Sequence, residues 1–173
     1  IRKSCGYTVI ALTTPDMKTQ AFLQGYHRLK KMFEKNNVRV YAGAELRFDE
    51  SYNDYLLYGF HDALLADPDR VMREGLADFA PQYRADGALL VQAHPFRKKC
   101  TPAPAEYLDG IEVLNLNPRH DSHNDLALAY AKEHHLIMTA GSDCHRPGDQ
   151  GTTGILSDTL PEDSFGLADL LRS

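Results

Sequence analysis

Apolar and polar positions fall along the chain in blocks that read as strand, helix, strand. Tyr7 to Leu12 is a short β-branched apolar run, the pattern of a buried strand, and Thr14-Pro15-Asp16 breaks it. From Ala21 to Asn36, Phe22, Tyr26, Leu29 and Phe33 recur every three or four residues, while Lys30, Lys31, Glu34 and Lys35 fill the other side. That spacing predicts an amphipathic helix. Further strands are predicted at 38–42, 55–58, 88–91, 111–114 and 136–139, with a last short one at 154–156. Helices are predicted within 67–84, 124–134 and 165–171. Strands that are apolar throughout and separated by helices imply a parallel sheet covered on both faces. An open doubly wound sheet and a closed β/α barrel both fit.

Polar residues follow these strands at once. The 38–42 strand runs into Gly43-Ala44-Glu45, and the 88–91 strand into Gln92-Ala93-His94-Pro95. The 111–114 strand runs into Asn115, and the 136–139 strand into Ala140-Gly141-Ser142-Asp143-Cys144-His145. In parallel β/α folds the loops at the carboxyl ends of the strands converge on one mouth. Glu45, His94, Asp143 and His145 are therefore expected to meet there. Two imidazoles and two carboxylates suit a borderline divalent cation such as Zn²⁺, Mn²⁺ or Fe²⁺. Such a cation polarises a phosphoryl oxygen and yields hydroxide near neutral pH. Singly, each residue has a plainer reading: a hydrogen-bonded structural histidine, a Glu45 paired with Arg47, or an Asp143 capping a turn. His61 follows the 55–58 strand and is a further candidate ligand, whereas His27, His134 and His135 read as helical surface or core residues. Arg97 follows His94 closely, and Arg119 stands beside His120 and His123; an arginine fork suits a phosphate. Cys144, between two candidate ligands, reads as a buried inert thiol.

Composition narrows the class. The 173 residues are 43% hydrophobic and 25% charged, which excludes a disordered or collagen-like chain and fits one domain over 1–173. The net charge of −5, without a basic block, argues against long nucleic acid as a partner. No apolar run reaches the ~18 residues of a membrane span. Three widely spaced cysteines (Cys5, Cys100, Cys144) do not form a disulfide framework and predict a reducing, cytoplasmic setting.

Gly43-Ala44-Glu45, Ala93-His94-Pro95, Gly110-Ile111-Glu112-Val113 with Asn115, and Gly141-Ser142-Asp143-Cys144-His145 stand in the order seen in the polymerase-and-histidinol-phosphatase (PHP) superfamily. The chain resembles that family from about Gly6 to Ile155. Asn53 to Gly59 and His94-Pro95-Phe96-Arg97 look like its small stand-alone bacterial members. The resemblance implies a distorted seven-stranded, TIM-like β/α barrel with two or three divalent metal ions (Zn, Mn or Fe) in its mouth. The implied activity is histidinol-phosphatase-like hydrolysis of a small phosphorylated metabolite or nucleotide by a metal-activated hydroxide. Glu45 would match the bridging carboxylate, His94 a ligand, and Asp143 and His145 the last ligand pair. Arg97 and Arg119 would hold the substrate phosphate.

Two family motifs have no counterpart here. His-x-His at the end of the first strand is absent, and where Thr-Asp-His is usual the chain reads Thr13-Thr14-Pro15-Asp16. At 173 residues the chain is also shorter than the ~200–250 typical of a β/α barrel. The expectation is therefore a barrel without its first strand, the natural protein carrying an N-terminal segment and a loop after Thr13 that this sequence lacks. The alternative is a catalytically inactive PHP-like binding or scaffold domain. A metal-dependent hydrolase of C–N bonds is a third reading, against which stands the lack of a strand-end lysine.

Overall fold

The computed structural model describes residues 6–12, 30–35, 38–149 and 151–173, with main chain only for 6–12. The predicted first helix lies mostly outside these residues, and within them 30–34 is helical. Cys5, His27 and the Thr13–Asp16 break also lie outside them.

Among the described residues six strands form one sheet in simple sequential order: β1 Gly6–Leu12, β2 Arg39–Leu46, β3 Tyr55–Tyr58, β4 Leu89–Gln92, β5 Gly110–Asn115 and β6 Ile137–Gly141. The pairs β1–β2, β4–β5 and β5–β6 are parallel, but β3 runs antiparallel to both its neighbours. The all-parallel expectation is thus wrong at one strand. The physical reason is the connection: residues 47–54 link β2 to β3 without a helix, and a link that short permits a hairpin but not a parallel crossover. The mixed α/β sheet is compatible with part of a TIM-like barrel; seven strands and a closed ring are not seen among the described residues. The predicted strand at 154–156 is irregular chain, with Leu156 fully exposed.

Among the described residues, besides the helical 30–34, these α-helices accompany the sheet: α1 Pro68–Glu74, α2 Leu76–Asp86, α3 Asn124–Glu133 and α4 Ser164–Arg172. Local chemistry fixes their ends. The Asp67 side chain accepts from Arg70 N at the start of α1, with Pro68 in its first turn, and Asp163 does the same for Gly166 N at α4. Gly87 ends α2 in the left-handed conformation that favours glycine.

Alternation along the strands divides the core in two. On one face Ala44, Leu46, Tyr55, Leu57 and Leu90 pack with Phe48, Val71, Leu76, Phe79 and Tyr83 under α1 and α2. On the other, Leu56, Tyr58, Leu89, Val91 and Ala93 pack against Ala168, Leu167 and Leu171 of α4. Gly59 at the end of β3 shows how close α4 comes: a Cβ there would lie 2.8 Å from Ala168 Cβ, and its φ of +60° also favours glycine.

Candidate metal centre

The side chain of Glu45 is aimed by its neighbours. Ala44 and Leu46 are committed to the helix-covered core, so the pleat turns Glu45 to the opposite face, opposite Leu56 of β3. Because β3 is reversed, its N-terminal end reaches the same rim, and Asp54 arrives beside Glu45. Arg47 grips Asp54 with both arms, Nε to Oδ1 at 2.7 Å and Nη2 to Oδ2 at 2.8 Å. Past β4 the chain turns sharply at His94, whose φ is +29°. Two backbone bonds hold this turn between the neighbouring strands: Ala93 N donates to Asp54 O at 2.9 Å, and His94 N donates to Glu112 Oε2 at 3.0 Å. The His94 ring is buried, with Nε2 3.7 Å from Asp54 Oδ2 and Nδ1 4.0 Å from Cys100 Sγ. One ligand atom from each of Glu45, Asp54 and His94 lies within 4.8 Å of the others. That spread is close to twice the ~2.1 Å of a metal–oxygen or metal–nitrogen bond.

A second set of groups lies at the ends of β5 and β6. Asp143, with φ +45°, receives Arg97 Nη1 on Oδ2 at 2.7 Å and pairs with His145 Nε2 through Oδ1 at 2.8 Å. Asn117 Nδ2 donates to its backbone oxygen and to Oδ2, at 3.0 and 3.2 Å. The other arm of Arg97 donates to Asn115 Oδ1 at 2.9 Å and Ser122 Oγ at 3.4 Å. Among the described residues the buried polar atoms without a hydrogen-bond partner are Arg97 Nε and Thr139 Oγ1.

The electrostatics are those of crowded carboxylates. Burial, with the charges of Asp54 and Asp143, pushes Glu45 up to about 7. Burial also raises Glu112 to about 7, although Asn115 and His94 N hydrogen-bond to it. Burial and then the Arg97 charge lower the His94 pKa, leaving a neutral imidazole with a lone pair to offer. For Asp143, burial acts upward, but the Arg97 bond and the charges of Arg97, His94 and His145 outweigh it and hold the carboxyl below its usual range. Carboxylates ionised at this density attract a cation, and the N/O donor set of Glu45, Asp54 and His94 fits a Zn²⁺, Mn²⁺ or Fe²⁺ ion.

The strand-end residues thus separate into two groups. Glu45 and His94 come together with Asp54, while Asp143 and His145 pair with each other within electrostatic reach of Glu45 and His94. Arg97 lies against Asp143. Arg119 instead clamps Asp149, with Nη1 to Oδ1 at 3.1 Å and Nη2 to Oδ2 at 2.7 Å. Asp149 also accepts from His145 N and Arg146 N, so this clamp shapes the loop that carries His145. His61 sits at the other end of β3, bonded to Asp86 at 3.2 Å and stacked near Phe165. Cys144 is exposed, not buried as expected, because its strand-end loop lies on the surface. His134 and His135 stand just past α3, both exposed. Asp54 and Glu112 were missed by the sequence reading. The signal for Asp54 was the short, helix-free link 47–54, which makes a hairpin and puts Asp54 opposite the end of β2.

Comparison with known proteins agrees with this architecture. The PHP-associated family model matches residues 121–172, the segment that carries α3, β6, Asp143, His145 and α4. No curated protein sequence matches the chain. PsfC from Pseudomonas syringae shares the fold with a TM-score of 0.56 at 23% identity, over 71% of this chain and 54% of that one. A two-domain protein from Bacteroides vulgatus, containing a predicted PHP-like metal-dependent phosphoesterase, matches with a TM-score of 0.57 at 15% identity, over 83% of this chain and 44% of that one. A provisionally assigned metal-dependent phosphoesterase from Bifidobacterium adolescentis matches with a TM-score of 0.55 at 15% identity, over 96% of this chain and 85% of that one. The chain spans about half the length of the first two. The family-model match is confined to residues 121–172, and the solved structures share the fold.

Proposed function

We propose that this chain is a metal-dependent phosphoesterase acting on a small phosphorylated metabolite or nucleotide, with divalent cations held by Glu45, Asp54 and His94 and by Asp143 and His145. The observation that carries this reading is the convergence of three ligand atoms within 4.8 Å at one rim of the sheet, beside a second carboxylate–imidazole pair. Bound cations supply Lewis acidity at a phosphoryl oxygen and lower the pKa of water. The chain's own residues do the rest. Glu112 accepts from His94 N and so fixes the turn that presents the imidazole. Arg47 neutralises Asp54 and keeps its carboxylate oriented. Arg97, with Nε unpaired, offers a donor edge to a phosphate oxygen. Arg119 acts on the loop through Asp149 and stands as the weaker phosphate candidate.

Among the described residues no helix is long and apolar enough to cross a membrane. Free Cys100 and Cys144 suit a reducing compartment such as the cytoplasm. The test is elemental analysis together with hydrolysis of a panel of sugar, amino-alcohol and nucleoside monophosphates, with Mn²⁺, Zn²⁺ or Fe²⁺ supplied and then chelated. Metal-dependent release of phosphate is the expected result. Metal binding without turnover on any ester would favour an inactive binding domain, and full hydrolysis after chelation would overturn the metal reading.

A further inference from the structure

Asp143 is engaged through both of its carboxylate oxygens. Its Oδ2 accepts from Arg97 Nη1 and Asn117 Nδ2, and its Oδ1 faces His145 Nε2. A cation taking Asp143 and His145 together must displace at least one of these partners, and it repels the guanidinium 2.7 Å from the same carboxylate. Arg97 is also the one side chain here with a second place to go. Its other bonds run to the neutral acceptors Asn115 Oδ1 and Ser122 Oγ, and its buried Nε has no partner. An oxyanion that presents two oxygens to the Nε–Nη2 edge satisfies that nitrogen, takes the place of Asn115 and Ser122, and supplies a negative charge that competes with Asp143 for the guanidinium. Asp54 in the Glu45–Asp54–His94 group is also paired with an arginine, but the Arg47 side chain is 57% exposed and can move into water when a cation arrives, whereas that of Arg97 is 13% exposed and needs a replacement anion.

We propose that Arg97 couples phosphate binding to cation binding: a phosphate that takes the guanidinium releases Asp143 to hold a cation with His145. The Glu45–Asp54–His94 group then binds its cation independently of phosphate, and the Asp143–His145 pair binds one only when phosphate is present. Linkage makes the effect reciprocal, so the cation tightens phosphate by the same factor. The proposal rests on the phosphoesterase reading for the choice of anion, and its test does not use turnover.

The experiment is a Mn²⁺ titration of the chelator-treated chain, free Mn²⁺ being read by electron paramagnetic resonance, with and without inorganic phosphate. One Mn²⁺ is expected to bind equally in both conditions, and a second at least tenfold more tightly with phosphate. Arg97→Met is expected to bind the second Mn²⁺ without regard to phosphate, and Asp143→Asn to lose it while keeping the first. If Arg97→Met fails to fold, Arg97→Lys serves, with reduced coupling expected. Unchanged Mn²⁺ affinities in the wild type overturn the proposal, as does full coupling in Arg97→Met, which would mean that phosphate bridges the ions without the arginine. Coupling in a chain that hydrolyses no ester supports the proposal and sinks only the phosphoesterase reading. Hydrolysis without coupling does the reverse.

Discussion

His94 is held by bonds that its own side chain does not make. Its backbone N donates to Glu112, and its left-handed φ is set by the turn after β4. The Glu112 carboxylate in turn needs Gly141, where a Cβ would fall 2.5 Å from Glu112 Oε1. Gly141→Ala is therefore expected to push Glu112 aside, cost about 1–3 kcal/mol in chemical denaturation, and weaken Mn²⁺ binding although residue 141 is no ligand. Glu112 also titrates. Its folded pKa of about 7 lies above the ordinary 4.5, so the folded state binds the extra proton. The stability it contributes is complete below about pH 4.5 and is lost as pH rises through 7. Glu112→Gln keeps an oxygen acceptor for His94 N and removes that loss. Denaturation between pH 4.5 and 8 should show the variant less pH-sensitive than the wild type, by up to roughly 3 kcal/mol.

At the scale of the elements, the reversal of β3 decides which residues can work together. It brings Asp54 to the rim and sends His61 to the opposite end of the sheet, where it bonds to Asp86. Two substitutions on either side of this four-residue strand should therefore behave in opposite ways. Asp54→Asn is expected to lower Mn²⁺ affinity at least tenfold with little change in melting temperature, and His61→Ala to leave Mn²⁺ affinity unchanged, both affinities being read by isothermal titration calorimetry. The strand itself is buried on both faces. Leu57, fully buried between β3 and the α1–α2 layer, should cost about 2–5 kcal/mol when cut to alanine.

For the whole molecule, the carboxylates collected at one rim are a source of instability that a cation offsets. A ligand at a hundred times its dissociation constant adds about 2.7 kcal/mol, or roughly 5–10 °C in melting temperature for a chain of this size. Scanning calorimetry with saturating Mn²⁺ should show a rise of that order, larger at pH 8 than at pH 6. The sign follows from Glu45, whose pKa of about 7 leaves it mostly protonated at the lower pH, so that the cation must compete with a proton. An equal rise at both pH values would place the cation away from Glu45.

The sequence by itself determined where most of the described strands and helices fall, 154–156 excepted, because buried tetrapeptides such as Leu-Leu-Val-Gln and capped helices such as Asp67-Pro68 are local patterns. It also placed Glu45, His94, Asp143 and His145 at strand ends, since polar residues that close an apolar run are visible without a fold. Strand direction was not legible in Tyr55–Tyr58: a run buried on both faces reads the same forwards and backwards, and only the short 47–54 link hints at reversal. Tertiary structure alone decided that Asp54 replaces His61 at the rim, that Glu112 supports His94 from the next strand, and that Arg97 and Arg119 face different carboxylates. Each is a contact between segments distant in sequence, fixed by sheet register and loop path, which hydrophobic periodicity does not encode.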